Sequence, residues 1–229
     1  VLDLQYTGLG PAEAMVLANL VSGALPEHDF LTTLNVAGNI DMVGVGARQL
    51  AEAVLASESL EVFSRMPLKL LKEDTSVAGL DLSHEAATFF SRLRFIPHFD
   101  REELLRTRPA LAKLAGETLP RGARSPRLGL IEALVLAPLV RASHVLASLN
   151  VAGNEFNDEA GRLIGMAAAE GAPALAELDL SYNELSEATK KQVRAALDAR
   201  NMKLLAASKK KVKGNEHAPP LEGTLIYHV

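Results

Sequence analysis

The 229-residue chain has no cysteine and no tryptophan, and only 4% of its residues are aromatic. Without cysteine, the chain has no disulfide framework, thiolate zinc site or cysteine nucleophile. We therefore expect an intracellular location, in the cytoplasm or at the cytoskeleton or cilium. Because 48% of the residues are apolar but few are large, the core has to consist of aliphatic layers. This composition favours a repetitive architecture, with one elongated domain or at most two compact ones.

Long apolar segments are also absent. No run of about 18 apolar residues occurs, and no charged-then-apolar leader opens the chain, so we predict no membrane span. The chain begins at Val1 rather than at Met. We expect processing or further residues before Val1, which leaves an organellar location open. We also expect further repeats or a partner to cover the first leucine layer.

A short motif recurs along the chain. Residues 31–39, 146–154 and 175–183 fit the frame L-x-x-L-x-L-x-x-N, with valine in place of the third leucine in the first two copies. Residues 2–4, 60–62 and 80–82 match only its apolar-x-apolar core. In such a core two side chains point inward and the middle one faces solvent. Six β-strands are predicted from these matches.

The intervals between the strands indicate what lies between them. The first leucines stand at positions 2, 34, 60, 80, 149 and 178, so the intervals are 32, 26, 20, 69 and 29 residues. Apolar residues between strands follow helical spacing, as at Ala47, Leu50, Ala51 and Val54. Each unit is therefore a strand, a turn and a helix. The irregular intervals around Met66 predict a break or a kink.

The turn asparagines Asn39, Asn154 and Asn183 are predicted to be structural, because an amide can hydrogen-bond backbone that leaves a strand. With these residues the motif resembles the leucine-rich repeats of the ribonuclease-inhibitor type, over about residues 1–83 and 128–205. The resemblance implies an α/β fold: a leucine-rich-repeat solenoid with a curved parallel sheet inside and helices outside. It also implies protein binding as the usual role, and no chemistry.

A longer repeat locates an insertion. Residues 9–20 and 128–139 share the pattern L-G-x-x-E-A-x-V-L-A-x-L. The preceding strand leucine is 5 residues away in the first copy, from Leu4 to Leu9, and 46 in the second, from Leu82 to Leu128. About 41 residues are thus inserted at a strand-to-helix turn. We predict a repeat region over residues 1–206, a basic, Phe-rich helical insertion over 84–127, and a basic C-terminal tail over 207–229.

Charge is unevenly distributed. The insertion has a net charge of +4 and the tail +2, while the whole chain has −4, so the remainder carries −10. This acidic remainder argues against nucleic acid as the partner, since it would repel phosphates. The tail ends in residues 224–227, a short β-like run that could add to a sheet edge of its own chain or of a partner.

Two groups of residues are candidates for partner binding. The first is the solvent-facing middle residue of each strand, which forms an acidic and amide row: Asp3, Asn35, Glu61, Asp81, Asn150 and Asp179. This row could receive a basic partner, or it could serve solubility and edge hydrogen bonding. The second lies in the insertion, where aromatic and arginine side chains could dock a partner or pack on the repeats: Phe89, Phe90, Arg92, Arg94, Phe95 and Phe99.

Catalytic motifs are incomplete. His84-Glu85 lacks the second histidine of a zinc helix, and the glycine pair at Gly44 and Gly46 lacks the third glycine of a dinucleotide loop. We predict no catalytic, cofactor-binding or metal-binding residues, and hence no enzyme. The leading hypothesis is a protein–protein interaction module, a scaffold or structural subunit held by protein partners in a larger assembly. The alternative is a regulatory inhibitor or GTPase-activating protein.

Overall fold

A computed structural model describes residues 1–23, 31–64, 66–74, 77–83, 127–212 and 225–229. The predicted insertion, with Phe89, Phe90, Arg92, Arg94, Phe95 and Phe99, lies outside the described residues except for Arg127. Strands and helices alternate along the described part of the chain. In chain order they are β1 (Leu2–Asp3), α1 (Pro11–Val21), β2 (Thr33–Asn35), α2 (Gly44–Ala56), β3 (Val62–Phe63), α3 (Leu68–Glu73), β4 (Gly79–Asp81), α4 (Leu130–Ala142), β5 (Ser148–Asn150), α5 (Asp158–Glu170), β6 (Glu177–Asp179), α6 (Glu187–Val212) and β7 (Ile226–His228).

The strands form two parallel sheets, one with the order β1-β2-β3 and one with the order β4-β5-β6-β7. Strand β4 pairs directly with β5, with Leu80 opposite Leu149, although the predicted insertion separates them in sequence. The described strands thus divide between β3 and β4, which confirms the predicted break near Met66. The chain has a mixed α/β architecture with parallel sheets.

The core lies between the sheets and the helices. The leucine at the centre of each of the strands β2, β4, β5 and β6 points into this core. Leu34, Leu149 and Leu178 are fully buried. Helix α1 packs on α2, α2 on α4, α4 on α5 and α5 on α6. Because β-strand side chains alternate, the residues on either side of each buried leucine face away from the helices. This leaves an outer sheet face without a covering helix in the described residues.

Helices α1 and α4 begin in the same way, as their matching sequences predict. The backbone N–H of Gly10 donates to Glu13 Oε2 at 3.0 Å, and that of Gly129 donates to Glu132 Oε2 at 2.8 Å. In both helices a glutamate in the first turn reaches back to the residue before the helix, as in a capping box. The two copies differ in surroundings, because Glu13 is exposed whereas Glu132 is only 1% exposed.

The start of α4 joins the two sheets across the break. Ser64, directly after β3, donates from Oγ to Glu132 Oε1 at 2.7 Å and accepts the N–H of Val36 at 3.2 Å. The N–H of Gly38 donates to the carbonyl of Arg127 at 3.0 Å. The turn after β2 therefore contacts the segment that leads into α4, and the buried carboxyl of Glu132 lies at this junction.

The structure corrects the register of the third strand. Strand β3 pairs Val62 with Thr33 and Phe63 with Leu34, so Ser64 occupies the place next to Asn35. The prediction that Glu61 belongs to the same row as Asp3 and Asn35 is therefore wrong. Leu60, Val62 and Phe63 are all buried. Since both faces of β3 are covered, apolar alternation could not reveal which residue points inward.

The end of the chain also differs from the predicted boundaries. Helix α6 extends to Val212, so the predicted boundary at residue 206 falls inside a helix. Strand β7 pairs with β6 in parallel, which confirms strand addition to the chain's own sheet. Helix α6 holds this strand as well, because the amide of Asn201 bonds both the N–H and the carbonyl of Leu225, each at 2.9 Å. The last residues of the predicted tail are thus part of the sheet.

Candidate functional site

The first candidate site is the predicted row of Asp and Asn residues, each of which is the last residue of its strand in the structure. Strands β4 to β7 place Asp81, Asn150, Asp179 and His228 side by side in register. Asp3 and Asn35 are neighbours in the other sheet. Five of the six predicted row residues therefore occupy the expected place in the row, three in one sheet and two in the other, but Asn35 is buried rather than solvent-facing, at 7% exposure. His228 extends the row and was not predicted, because the β-like run of the tail does not contain the motif.

Each of the five residues also has a structural role. The Oδ1 atom of each accepts the backbone N–H two residues further along the chain. The donors are Gln5, Ala37, Ser83, Ala152 and Ser181, at distances between 2.9 and 3.2 Å. This turn needs only a side-chain oxygen, so Asp and Asn serve it equally well. The second carboxylate oxygens of Asp81 and Asp179 accept no hydrogen bond from the described residues and face outward.

The outer face of β4–β7 is acidic. A second outward row lies beside the first and contains Gly79, Ser148, Glu177 and Ile226. Ser148 Oγ donates to Glu177 Oε2 at 3.2 Å. Together the two rows hold three carboxylates and neither lysine nor arginine. A cationic ligand would therefore be attracted to this face.

The turn asparagines are structural, as predicted. Asn154 accepts the N–H of Leu128 at 3.0 Å and donates to the carbonyls of Leu82 and Val151, at 2.9 and 3.0 Å. Asn39 makes the equivalent bonds to Leu9, Leu4 and Val36, and Asn183 bonds Phe156, Val151 and Leu180. Each amide thus links its own strand to the preceding strand and helix. Its hydrogen-bonding groups are therefore used within the fold.

A cleft opens at the carboxyl ends of β4–β6, next to the row. Its volume is about 340 Å³, and its lining combines polar side chains with an aromatic ring: Ser83, Arg127, Asn150, Ala152, Gly153, Asp179, Ser181 and Tyr182. Arg127 Nη1 lies 3.6 Å from Glu155 Oε1, so its charge is partly compensated. Sequence reasoning missed the cleft, because Ser83 and Arg127 both line it although the predicted insertion separates them in sequence.

Other kinds of site are not seen in the described residues. No group of three or more histidine, aspartate or glutamate side chains there could hold a metal ion. No helix in this part of the chain is long and apolar enough to cross a membrane. The outer face of β4–β7 and the adjoining cleft therefore form the candidate site.

Comparison with solved structures gives distant matches. The chain is similar to the structure described as leiomodin-1 actin-binding site 2, with a TM-score of 0.33 and 17% sequence identity. The match covers 57% of this chain and 70% of the other. No protein-family model matches the sequence. No curated protein matches it either.

Proposed function

We propose that this chain is a leucine-rich-repeat solenoid of the ribonuclease-inhibitor type that acts as a non-enzymatic protein-binding module, a scaffold or subunit of a larger assembly. Its binding surface is the outer face of β4–β7, and the partner is a protein with a basic segment. The observation that carries the proposal is the in-register row of Asp81, Asn150 and Asp179, with outward carboxylate oxygens that no described residue engages.

The recurrence of one hydrogen-bonding scheme supports the repeat architecture. Three asparagines at the same place in their units bond their own strand and the preceding unit, and the five Asp and Asn residues of the row make the same turn. In a repeat protein each unit buries its leucines only against its neighbours, so the same contacts between units have to recur along the chain. The stacking of α1, α2, α4, α5 and α6 in chain order fits the same scheme.

Charge and spacing support a basic partner. Asp81 and Asp179 stand two strands apart, and parallel strands are about 4.8 Å apart, so their carboxylates are separated by roughly 10 Å. An extended peptide advances about 3.3 Å per residue, so basic residues three positions apart would match both carboxylates. Complementary charge of this kind gives specificity and fast association more than raw affinity.

The test uses the equivalence of Asp and Asn at this position. A double variant with Asp81→Asn and Asp179→Asn keeps the Oδ1 acceptor of each turn and removes both charges. The natural Asn150 between them makes the same turn with an amide. We expect this variant to melt at the wild-type temperature and to lose cross-links between β4–β6 and basic partner peptides, identified by mass spectrometry in native extract.

The matched control is Asp3→Asn, which makes the same change in the other sheet. This control should retain the cross-links of the wild-type chain. If the double variant keeps them as well, the outer face of β4–β7 is not the partner surface. If the double variant unfolds, the row is required for the fold, and the argument from interchangeable Asp and Asn is wrong.

A further inference from the structure

Tyr182 has a backbone conformation that its side chain disfavours. It lies directly before the turn Asn183 and has φ of 56°, in the left-handed region. Gly38 and Gly153 occupy the same place before Asn39 and Asn154, with φ of 79° and 69°. Glycine adopts this conformation without steric cost, whereas a bulky residue does not. A tyrosine here costs folding free energy unless its ring makes compensating contacts.

Tyr6 shows what such contacts are. It stands at the equivalent place in the first unit, also with a left-handed backbone, φ 54°. Its ring lies over Gly38 so closely that a Cβ on this glycine would be 2.4 Å from two ring carbons. Tyr6 is 53% exposed, whereas Tyr182 is 90% exposed. Packing on the described part of its own chain therefore explains the first tyrosine and not the second.

The surroundings of the Tyr182 ring define what it could bind. The ring borders the cleft, which also contains Asp179 and Asn150. Asp179 uses Oδ1 for the Ser181 N–H, and its other carboxylate oxygen engages no described residue. Arg127, which also lines the cleft, forms an ion pair with Glu155. An exposed aromatic face beside an outward carboxylate suits a cation that is flat enough to stack on the ring.

We propose that Tyr182 and Asp179 form an arginine-binding site, in which a partner's guanidinium stacks on the tyrosine ring and donates to the Asp179 carboxylate. This rests on the proposed function, since the site is the aromatic anchor of the outer face of β4–β7. Arginine fits better than lysine because its planar group can stack and donate two hydrogen bonds at once, whereas an ammonium is a compact, strongly hydrated charge.

The test measures stability and binding together on the full chain. The probes are fluorescently labelled peptides of eight arginines, eight lysines or eight glutamates, in 0.15 M salt. Tyr182→Gly should raise the melting temperature, because glycine relieves the left-handed backbone. It should also weaken binding of the arginine peptide about two- to fivefold, the range of an exposed cation–π contact. Tyr182→Phe keeps the ring and should bind like the wild type.

Two controls separate this site from general charge attraction. Tyr6→Gly relieves a left-handed backbone too, but it should lower the melting temperature because the loss of the ring packed on Gly38 outweighs that relief, and it should leave binding unchanged. The lysine peptide should be insensitive to Tyr182→Gly. If Tyr182→Gly leaves binding of the arginine peptide unchanged as well, the arginine site is refuted. The proposed outer face is tested separately, by the double variant of Asp81 and Asp179. If that double variant also leaves arginine binding unchanged, both proposals fail.

Discussion

Replacing Glu132 by glutamine tests what a buried carboxyl costs this fold. Burial raises the pKa of Glu132, hydrogen bonds from Gly129 and Ser64 lower it, and the negative charge of Glu155 raises it again, with a net rise. No salt bridge to Glu132 occurs among the described residues. The folded chain therefore has to bury an unpaired charge at high pH or keep the carboxyl protonated.

The expected magnitudes follow from the two hydrogen bonds. Glutamine keeps the bond from the Gly129 N–H, which its oxygen can accept, but reverses the one to Ser64: its amide nitrogen donates to Ser64 Oγ, whose own hydroxyl hydrogen loses Glu132 as acceptor. At pH 8 we expect Glu132→Gln to raise the free energy of unfolding by about 1 kcal/mol, because no charge is buried. Glu132→Ala leaves both partners unsatisfied and opens a cavity, and should cost about 2 kcal/mol at the same pH.

The pH dependence gives a sharper test than a single stability value. The folded-state pKa of Glu132 lies above the unfolded-state value, which is about 4.3. The stabilisation from its protonation is fully present below pH 4 and is lost as pH rises through the folded-state pKa. Urea unfolding of wild type and Glu132→Gln should give equal stabilities near pH 4 and a growing advantage for glutamine toward pH 8.

The control is the matching glutamate of α1. Hydrogen bonds from the N–H groups of Glu13 itself and of Gly10 lower the pKa of Glu13, which is exposed. Its stabilisation is therefore present above the unfolded-state pKa and is lost as pH falls, so Glu13→Gln should be less stable than wild type at pH 8 and converge with it in acid. If Glu132→Gln shows this same sign, the reasoning about the buried carboxyl is refuted.

Three further substitutions test other contacts, each by urea unfolding. Asn154→Asp keeps the acceptor but loses the amide donor that bonds two carbonyls, and should lower the free energy of unfolding by about 2 kcal/mol. An unchanged urea midpoint would contradict the structural role of this amide. Gly38→Ala should cost more than Gly44→Ala, because both have φ near 70–80° but only Gly38 is covered, by the Tyr6 ring. Asn201→Ala removes both bonds to the last strand and should cost about 1–2 kcal/mol, with faster amide hydrogen exchange confined to that strand.

The strands and long helices could be predicted because local periodicity decides them. Leu34, Leu149 and Leu178 are fully buried, and the polar neighbours of Leu149 and Leu178 are more exposed, whereas Thr33 and Asn35 beside Leu34 are buried too. Strand β3 shows the limit of this reasoning. Val62 and Phe63 are adjacent and both fully buried. When neighbouring side chains are both covered, a two-residue period gives no information on register, and only the pairing with β2 decides it.

The candidate site could be predicted only where it is repeated. The Asp and Asn residues of the row recur at one place in each motif, which made them visible in the sequence. The cleft depends on contacts between distant units. Tyr6 and Tyr182 look alike in sequence, and they differ because Gly38 offers a surface to the first ring while the second has no such surface in the described residues.

The equivalence of the first and fourth units leads to a final prediction. Four residues, Gln-Tyr-Thr-Gly, connect Leu4 to Leu9 between β1 and α1. Asn39 bonds the carbonyl of Leu4 and the N–H of Leu9, and Asn154 bonds those of Leu82 and Leu128 in the same way. We expect a chain in which Gln-Tyr-Thr-Gly replaces residues 83–127 to fold, with helical circular dichroism and one cooperative melting transition.

This shortened chain should be modestly less stable than the full chain. It loses the side chain of Arg127 that pairs with Glu155, and its new glycine carbonyl has to replace that of Arg127 as acceptor for Gly38. We expect a loss of about 1–2 kcal/mol. Adding Asn154→Ala to the shortened chain should destabilise it much more, because the Asn154 amide would bond both ends of the short turn. If the shortened chain is soluble but does not melt cooperatively, residues 83–127 are part of the folding unit, and the two units are not equivalent.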